Sequence, residues 1–276
     1  MSGFLEDMAA ASQARVRAAK ARITETALLA RAQGTPVPPP LRLAAEGFDL
    51  IAELKLRSPA SGVLAARYVS VAAQVTAYAR AGAAAVSVLT EPTRFDGSLT
   101  HLTEAARALA PHQVPAMRKD FLVDPYQVLE ARAAGAGGVL LILRMLSRET
   151  LGALIDCART QGLFVLLEAF DAQDIDHLGE VVAADAGRSV LLAGVNCRDL
   201  ATLEVVPERL LELAPLLPPG VPQVAESGVA SAEDARRLAI AGYRMILVGS
   251  ALMRDQDPAG LARVLIEAGR AVRRTS

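Results

Sequence analysis

The stretch Val114-Pro115-Ala116-Met117-Arg118-Lys119-Asp120-Phe121-Leu122-Val123-Asp124-Pro125, running on through 126–135 to the apolar run 138–143, sets the architecture of the chain. A short apolar run ends on a charge at Lys119. Asp124 then stands directly before Pro125, an N-cap carboxylate followed by proline at the first helical position, where a missing N–H costs nothing. Residues 125–134 read as a helix, and Gly135 suits the left-handed residue that commonly closes one. The unit is strand, helix, strand.

The same alternation extends in both directions. Strand patterns fall at 50–55, 85–89, 114–119, 138–143, 163–168, 191–196, 223–226 and 245–248. Helix patterns lie between them, near 71–80, 99–109, 125–134, 148–161, 172–182, 208–216 and 232–241, and a last begins at 259. Ser147 with Glu149, and Ser231 with Glu233 and Asp234, mark helix starts by cap and first-turn charge; Gly82, Gly162 and Gly242 mark ends. Strand-then-helix units in series mean parallel strands with helical crossovers. Eight of them over about 225 residues predict the α/β class and a closed (β/α)8 TIM barrel. The alternative, an open doubly wound sheet, usually has one glycine-rich phosphate turn after its first strand, and no GxGxxG follows Lys55. Residues 1–49 read as a helix over about 3–32, ended by the proline-rich run 34–40. They form an extension packed on the barrel, so that 1–276 is expected to be one domain.

Composition narrows the function. The chain has 276 residues, 52% hydrophobic but only 4% aromatic, so the core is aliphatic. A net charge of −1 argues against a nucleic-acid partner, which calls for a basic excess. Two cysteines, Cys157 and Cys197, supply neither a disulfide framework nor a metal-type CxxC pair, and no metal is expected. Glu6 and Asp7 sit where a signal peptide would be apolar, and no 18-residue uncharged apolar run suggests a membrane span. A soluble cytoplasmic protein is the expectation.

Of 29 lysines and arginines only Lys20, Lys55 and Lys119 are lysines. Arginine replaces lysine wherever a fixed charge suffices, but not where a proton must move, because arginine stays protonated. Lys20 reads as a solvated residue of the N-terminal helix. Lys55 and Lys119 end the first and third strands, and barrels of this kind carry their chemistry at the C-terminal strand ends. Alternation puts Glu53 and Lys55 on one strand face. Glu168, Asn196 and Glu226 end the fifth, sixth and seventh strands. Charges pointing into a barrel must be paired, and alternating Glu and Lys around one mouth would pair them. Small residues at Ser227-Gly228 and Gly249-Ser250, after strands seven and eight, suit a phosphate approached by backbone N–H groups, and the loop at Ser58 is a third of the kind. His101, His112 and His177 lie away from the strand ends. Cys197, one residue past Asn196, should turn away from the pocket.

These residues match a family. IAELKLRSPASG at 51–62, VLTEPTRFDGS at 88–98, MRKDFLVDPYQVLEARAAGA at 117–136, VLLEAFD at 165–171, GVNCRDLATLEV at 194–205, VAESGV at 224–229 and LVGSALMR at 247–254 resemble indole-3-glycerol phosphate synthase in order and spacing. The resemblance implies a cytoplasmic lyase of tryptophan biosynthesis with no cofactor. Its substrate would be 1-(2-carboxyphenylamino)-1-deoxyribulose 5-phosphate. It implies Lys119 as the general acid of ring closure, Lys55 as an anchor and acid in dehydration, and Glu168 as the dehydration base. Glu53 and Asn196 would stabilise the intermediate, with Glu226 supporting the same network. Arg198 would lie near the substrate carboxylate and Phe95 in the aryl pocket. Ser58, Ser227, Gly228, Gly249 and Ser250 would hold the phosphate. The chain departs from the family pattern at Leu56, where a second basic residue is usual, at Phe170, where a polar residue often stands, and at Cys197, in place of Asn or Ser. A phosphoribosyl isomerase type of barrel or a catalytically silent paralogue are the alternatives; two lysines with three glutamates suit neither.

Overall fold

The computed structural model describes residues 3–45, 47–58, 62–63, 70–199 and 202–273. Eight parallel strands close into a barrel in sequence order: β1 (Asp49–Leu54), β2 (Ala85–Leu89), β3 (Ala116–Lys119), β4 (Gly138–Ile142), β5 (Phe164–Ala169), β6 (Leu191–Asn196), β7 (Gln223–Glu226) and β8 (Met245–Val248). Closure rests on β1, which pairs Ile51 with Ala85 of β2 on one side and with Leu247 of β8 on the other.

The helices are α1 (Gly3–Arg22), α2 (Glu25–Gly34), α3 (Val71–Arg80), α4 (Pro92–Phe95), α5 (Leu99–Leu109), α6 (Pro125–Ala133), α7 (Arg148–Thr160), α8 (Ala172–Asp185), α9 (Glu208–Leu213), α10 (Ala232–Ile240), α11 (Ser250–Arg254) and α12 (Pro258–Arg273). Their caps follow the local sequence. Asp124 accepts from the Tyr126 N–H (2.9 Å), and Ser231 with Asp234 forms a reciprocal capping box.

Strand parity sorts the core into two layers. Leu50, Ala52, Val139, Leu141, Val165 and Leu167 face outward to the helices. Ile51, Met117, Leu140, Leu166, Leu192, Val224 and Met245 fill the barrel. Counting two residues on from each inward residue gives Glu53, Lys119, Ile142, Glu168, Gly194, Glu226 and Leu247. The acids and the lysine thus reach the interior by the same alternation that buries the aliphatic layer below them.

The structure corrects several boundaries. The N-terminal helix is two helices, because Thr24 leaves the helical conformation and caps α2, accepting from the Ala27 N–H (3.3 Å). At the end of α1 the carbonyls of Ala19, which also accepts from the Ile23 N–H (3.0 Å), and of Ile23 accept from the Tyr126 hydroxyl (3.2 and 2.9 Å). The helix pattern at 208–216 ends its α-turns at Leu213 and finishes in a 3-10 turn that contains Pro215. Strand three begins at Ala116 rather than at 114. The helix α4 and the two-residue ladder between Arg57–Ser58 and Gly62–Val63 are too short for a periodicity to reveal. Lys20 is not simply solvated: its ammonium pairs with Asp124 (2.8 Å) and lies 5.6 Å from the Tyr126 ring. Among the described residues no helix is long and apolar enough to cross a membrane.

The extension is pinned to the loops at the top of the barrel. Ser12 Oγ donates to the Phe121 carbonyl (2.5 Å) and accepts from the Gln127 amide (2.9 Å). Arg15 pairs with Asp120 (2.6 Å) and Glu91 (3.3 Å), and Glu91 caps α4. This docking carries Phe4 and Leu5 to the barrel mouth.

Candidate active site

A cavity of about 570 Å³ opens at the C-terminal ends of the strands, within the usual size of a small-molecule site. Every candidate residue read from the sequence lines it: Glu53, Lys55, Ser58, Phe95, Lys119, Glu168, Asn196, Arg198, Glu226, Ser227, Gly228, Gly249 and Ser250. Cys197 is buried and does not line it, and neither does any of the three histidines.

The floor is an ionic belt. Lys55 Nζ lies 2.7 Å from Glu53 Oε1. Lys119 Nζ donates to Glu168 Oε1 (3.2 Å) and Glu226 Oε2 (3.4 Å). The Asn196 amide donates to the same Glu168 oxygen (2.9 Å), and Asn196 Oδ1 accepts from the Ser227 hydroxyl (2.9 Å) and the Arg198 N–H (3.0 Å). Glu53, Glu168 and Glu226 are all buried, so any charge on them depends on these partners.

The belt sets its members' proton affinities apart. Burial alone would push the Glu53 carboxyl up, but Lys55, Lys119 and Arg198 overcome it and hold it below the ordinary carboxylate value. Burial pulls the Lys119 ammonium down, yet Glu168, Glu226 and Glu53 outweigh burial and raise it. Glu226 goes the other way: burial, then the charge of Glu168, raise it well above its ordinary 4.5 against the pull of Lys119. Its Oε1 is buried with no hydrogen-bond partner. Lys119 is therefore held protonated and Glu53 anionic, while Glu226 favours its neutral form.

That assignment has a consequence for stability. A group whose folded pKa is raised stabilises the fold below its unfolded value and loses that contribution as pH rises through the folded value. Glu226→Gln removes this dependence. As pH rises above about 4.5 the variant is expected to gain on the parent, in urea unfolding at each pH, while its catalysis is lower. A stability difference that stays flat above about pH 4.5 would show that Glu226 is anionic in the resting site.

Two glycines make the belt possible. A Cβ on Gly194 would overlap Glu226 Oε1, and one on Gly249 would overlap the Glu53 carboxylate. Gly249 thus serves the carboxylate as well as the loop after β8. A bulky residue there displaces Glu53, so Gly249→Val is no clean probe of phosphate binding.

Above the belt the walls differ in chemistry. The aromatic rings of Phe4, Phe121 and Phe95 follow one another at 6.0 and 6.2 Å, and with Leu140 and Ile142 of β4 they make one side apolar. Across the mouth stand Ser58 and the small residues after β7 and β8. Ser227 holds φ 70°, a left-handed backbone that costs an L-residue about 1–2 kcal/mol, and Gly228 follows at φ 73°. Strain of this kind gathers at ligand sites. The sequence reading missed Phe4, Leu5, Leu89, Phe121, Leu140, Ile142, Leu247 and Arg254 as lining residues. Strand parity was enough to find Leu140, Ile142 and Leu247; no local signal marks Phe4 or Leu5, which reach the mouth only through docking of α1.

Comparison with known proteins agrees with this geometry. A family model described as indole-3-glycerol phosphate synthase matches residues 5–265. The indole-3-glycerol phosphate synthase of Parafrankia sp. is 44% identical over 227 residues, covering 82% of this chain and 81% of its own. That of Mycobacteroides abscessus is 39% identical over 260 residues, covering 93% and 91%. Among solved structures, the 3-hexulose-6-phosphate synthase of Salmonella typhimurium superposes with a TM-score of 0.61 at 17% identity over 81% of this chain and 99% of that one, a likeness of fold alone. With matching family model, relatives and mouth residues in hand, the chain belongs to the indole-3-glycerol phosphate synthase family.

Proposed function

We infer that the protein converts 1-(2-carboxyphenylamino)-1-deoxyribulose 5-phosphate to indole-3-glycerol phosphate, CO2 and water. The observation that carries this reading is the ionic belt of two lysines and three glutamates set between an apolar wall and small-residue loops. The substrate has the same three parts in the same order: an aryl ring, a ketose chain that must gain and lose protons, and a phosphate. The ring lies against Phe95, Phe121 and Ile142. The phosphate sits at Ser58, Ser227, Gly228, Gly249 and Ser250, and the carbonyl lies over Lys119.

In ring closure the ring carbon that bears the carboxylate attacks the ketose carbonyl carbon. Lys119 delivers a proton to the carbonyl oxygen as the C–C bond forms. The carboxylate, steered by Arg198, leaves as CO2 and its electron pair restores the aromatic ring. Dehydration then expels the new hydroxyl as water with a proton from Lys55, and Glu168 takes the proton from the former methylene carbon beside nitrogen. Glu53, held anionic, and Asn196 stabilise the cationic character that nitrogen acquires on the way, and Glu226 supports Lys119. The balance uses no cofactor. Tryptophan biosynthesis places the protein in the cytoplasm.

The test is turnover of that substrate. The chain has no Trp, so indole fluorescence rises over a low protein background. Inorganic phosphate is expected to compete. Ser250→Asp, which sets a like charge beside the phosphate, is expected to raise KM about tenfold, ~1.4 kcal/mol, with a smaller change in kcat. No fluorescence gain and no CO2 release would leave a phosphate-binding paralogue without lyase activity.

A further inference from the structure

Phe170 follows Glu168 by two residues, so it shares the inward parity of β5 and stands directly above the general base at the mouth. It is 3% exposed and lines the cavity, in the same buried cluster as Phe121, Leu140 and Ile142. Its position is fixed from behind. The guanidinium of Arg144, in the 3-10 turn (Leu143–Met145) after β4, lies 4.8 Å from the ring centroid, within cation–π range. The Asp174 carboxylate, itself buried, accepts from the Phe170 N–H (2.8 Å) and from Arg144 Nε (2.8 Å). Asp171 caps α8 through one oxygen and pairs with Arg144 through the other. The turn after β4 and the start of α8 are thereby tied together around one phenyl ring.

This arrangement does nothing for proton transfer, since none of its charges faces the belt. What it presents to the cavity is an immobilised apolar surface on the aryl side. We propose that Phe170, locked by Arg144 and Asp174, is a specificity-determining residue that admits apolar substituents on the substrate ring and rejects a hydroxyl at the position facing it. The proposal rests on the lyase reading above. A ring hydroxyl buried against Phe170 loses its water and finds no partner. Arg144 is the positioning residue; its Nε and Nη2 are held by Asp174 and Asp171 behind the ring, and it does not line the cavity.

The experiment compares methyl- and hydroxyl-substituted substrates at each free ring position. It also measures by calorimetry the binding of the corresponding arylamino-deoxyribulose phosphates that lack the ring carboxylate. At one ring position the parent is expected to favour methyl over hydroxyl by roughly 10–100-fold in kcat/KM, carried by KM. Phe170→Asn is expected to shrink that ratio at least fivefold while keeping kcat for the unsubstituted substrate within a few-fold. Arg144→Gln should shrink it in part, and Arg144→Lys, which keeps a cation behind the ring, should shrink it less. Equal ratios in parent and Phe170→Asn, in turnover and in binding alike, overturn the proposal. If the parent turns over no substrate yet its binding still discriminates and Phe170→Asn abolishes the difference, the lyase reading falls and the role of Phe170 stands.

Discussion

Lys119→Arg is expected to lose about 10²–10⁴-fold in turnover, the usual worth of positioned acid catalysis, while substrate binding changes far less. Arginine keeps the charge that pairs with Glu168 and Glu226, but its pKa above about 12 makes it a poor donor near neutrality. Glu168, Glu226 and Glu53 raise the Lys119 ammonium in the resting site, so it stays charged there and acts as an acid only once substrate draws it away from those partners. The position is not a surface one: the Lys119 side chain is 16% exposed and ion-paired. A planar guanidinium there overpacks the floor and is expected to cost about 1–3 kcal/mol of stability, to be read by thermal unfolding beside the kinetics. Lys20→Arg is the control. Its ion pair with Asp124 and its place over Tyr126 both suit arginine, so turnover and melting should stay at the parent values. Near-parental turnover in Lys119→Arg would make Lys119 an electrostatic anchor and pass the acid role to Lys55 or a water.

Glu168→Gln is expected to fall by a comparable 10²–10⁴-fold in indole formation, with substrate binding kept. The amide preserves the shape of the carboxylate and can still meet Asn196, but it accepts no proton. If Glu168 serves only dehydration, single-turnover CO2 release runs ahead of the fluorescence of indole. Equal slowing of both signals would place Glu168 in ring closure or decarboxylation. The structure gives a reason to look for that outcome: Glu168 shares a hydrogen bond with Lys119, so a change in one alters the field at the other. Lys119 keeps Glu226 as a hydrogen-bond partner in this variant, so the ammonium retains its place on the floor.

The barrel was legible because its signals are local. Continuous apolar runs of strand length, helix caps such as Asp124-Pro125 and Ser231, and closing glycines each act within a few residues. Eight repeats of such a unit allow few topologies. The belt was legible for a related reason: a charge ending a buried strand has to go somewhere, and parity sends Glu53, Lys119, Glu168 and Glu226 inward. The errors lie where the competing interactions are weak or distant. The break between α1 and α2 turns on one threonine side chain and a tyrosine over 100 residues away in sequence, and nothing in the periodicity of 3–32 registers it.

By itself, then, the amino-acid order determined a parallel barrel, its strand ends, and the set of charged and small groups that meet at one mouth. Which charges pair, and which group stays protonated, were decided only in three dimensions. Coulomb energy and desolvation depend on distance and burial, and Lys119 meets Glu226 across 107 residues of chain. The same holds for the room beside each carboxylate: Gly194 and Gly249 read as ordinary strand and turn glycines until the acids of neighbouring strands occupy the space a Cβ would need. The apolar wall is the clearest case. Phe4 lies far from the barrel in sequence, and it joins Phe121 and Phe95 only because Ser12 and Arg15 dock α1 onto the loops after β2 and β3. A contact made by rigid-body docking leaves no period, cap or spacing for a reader of the sequence to find.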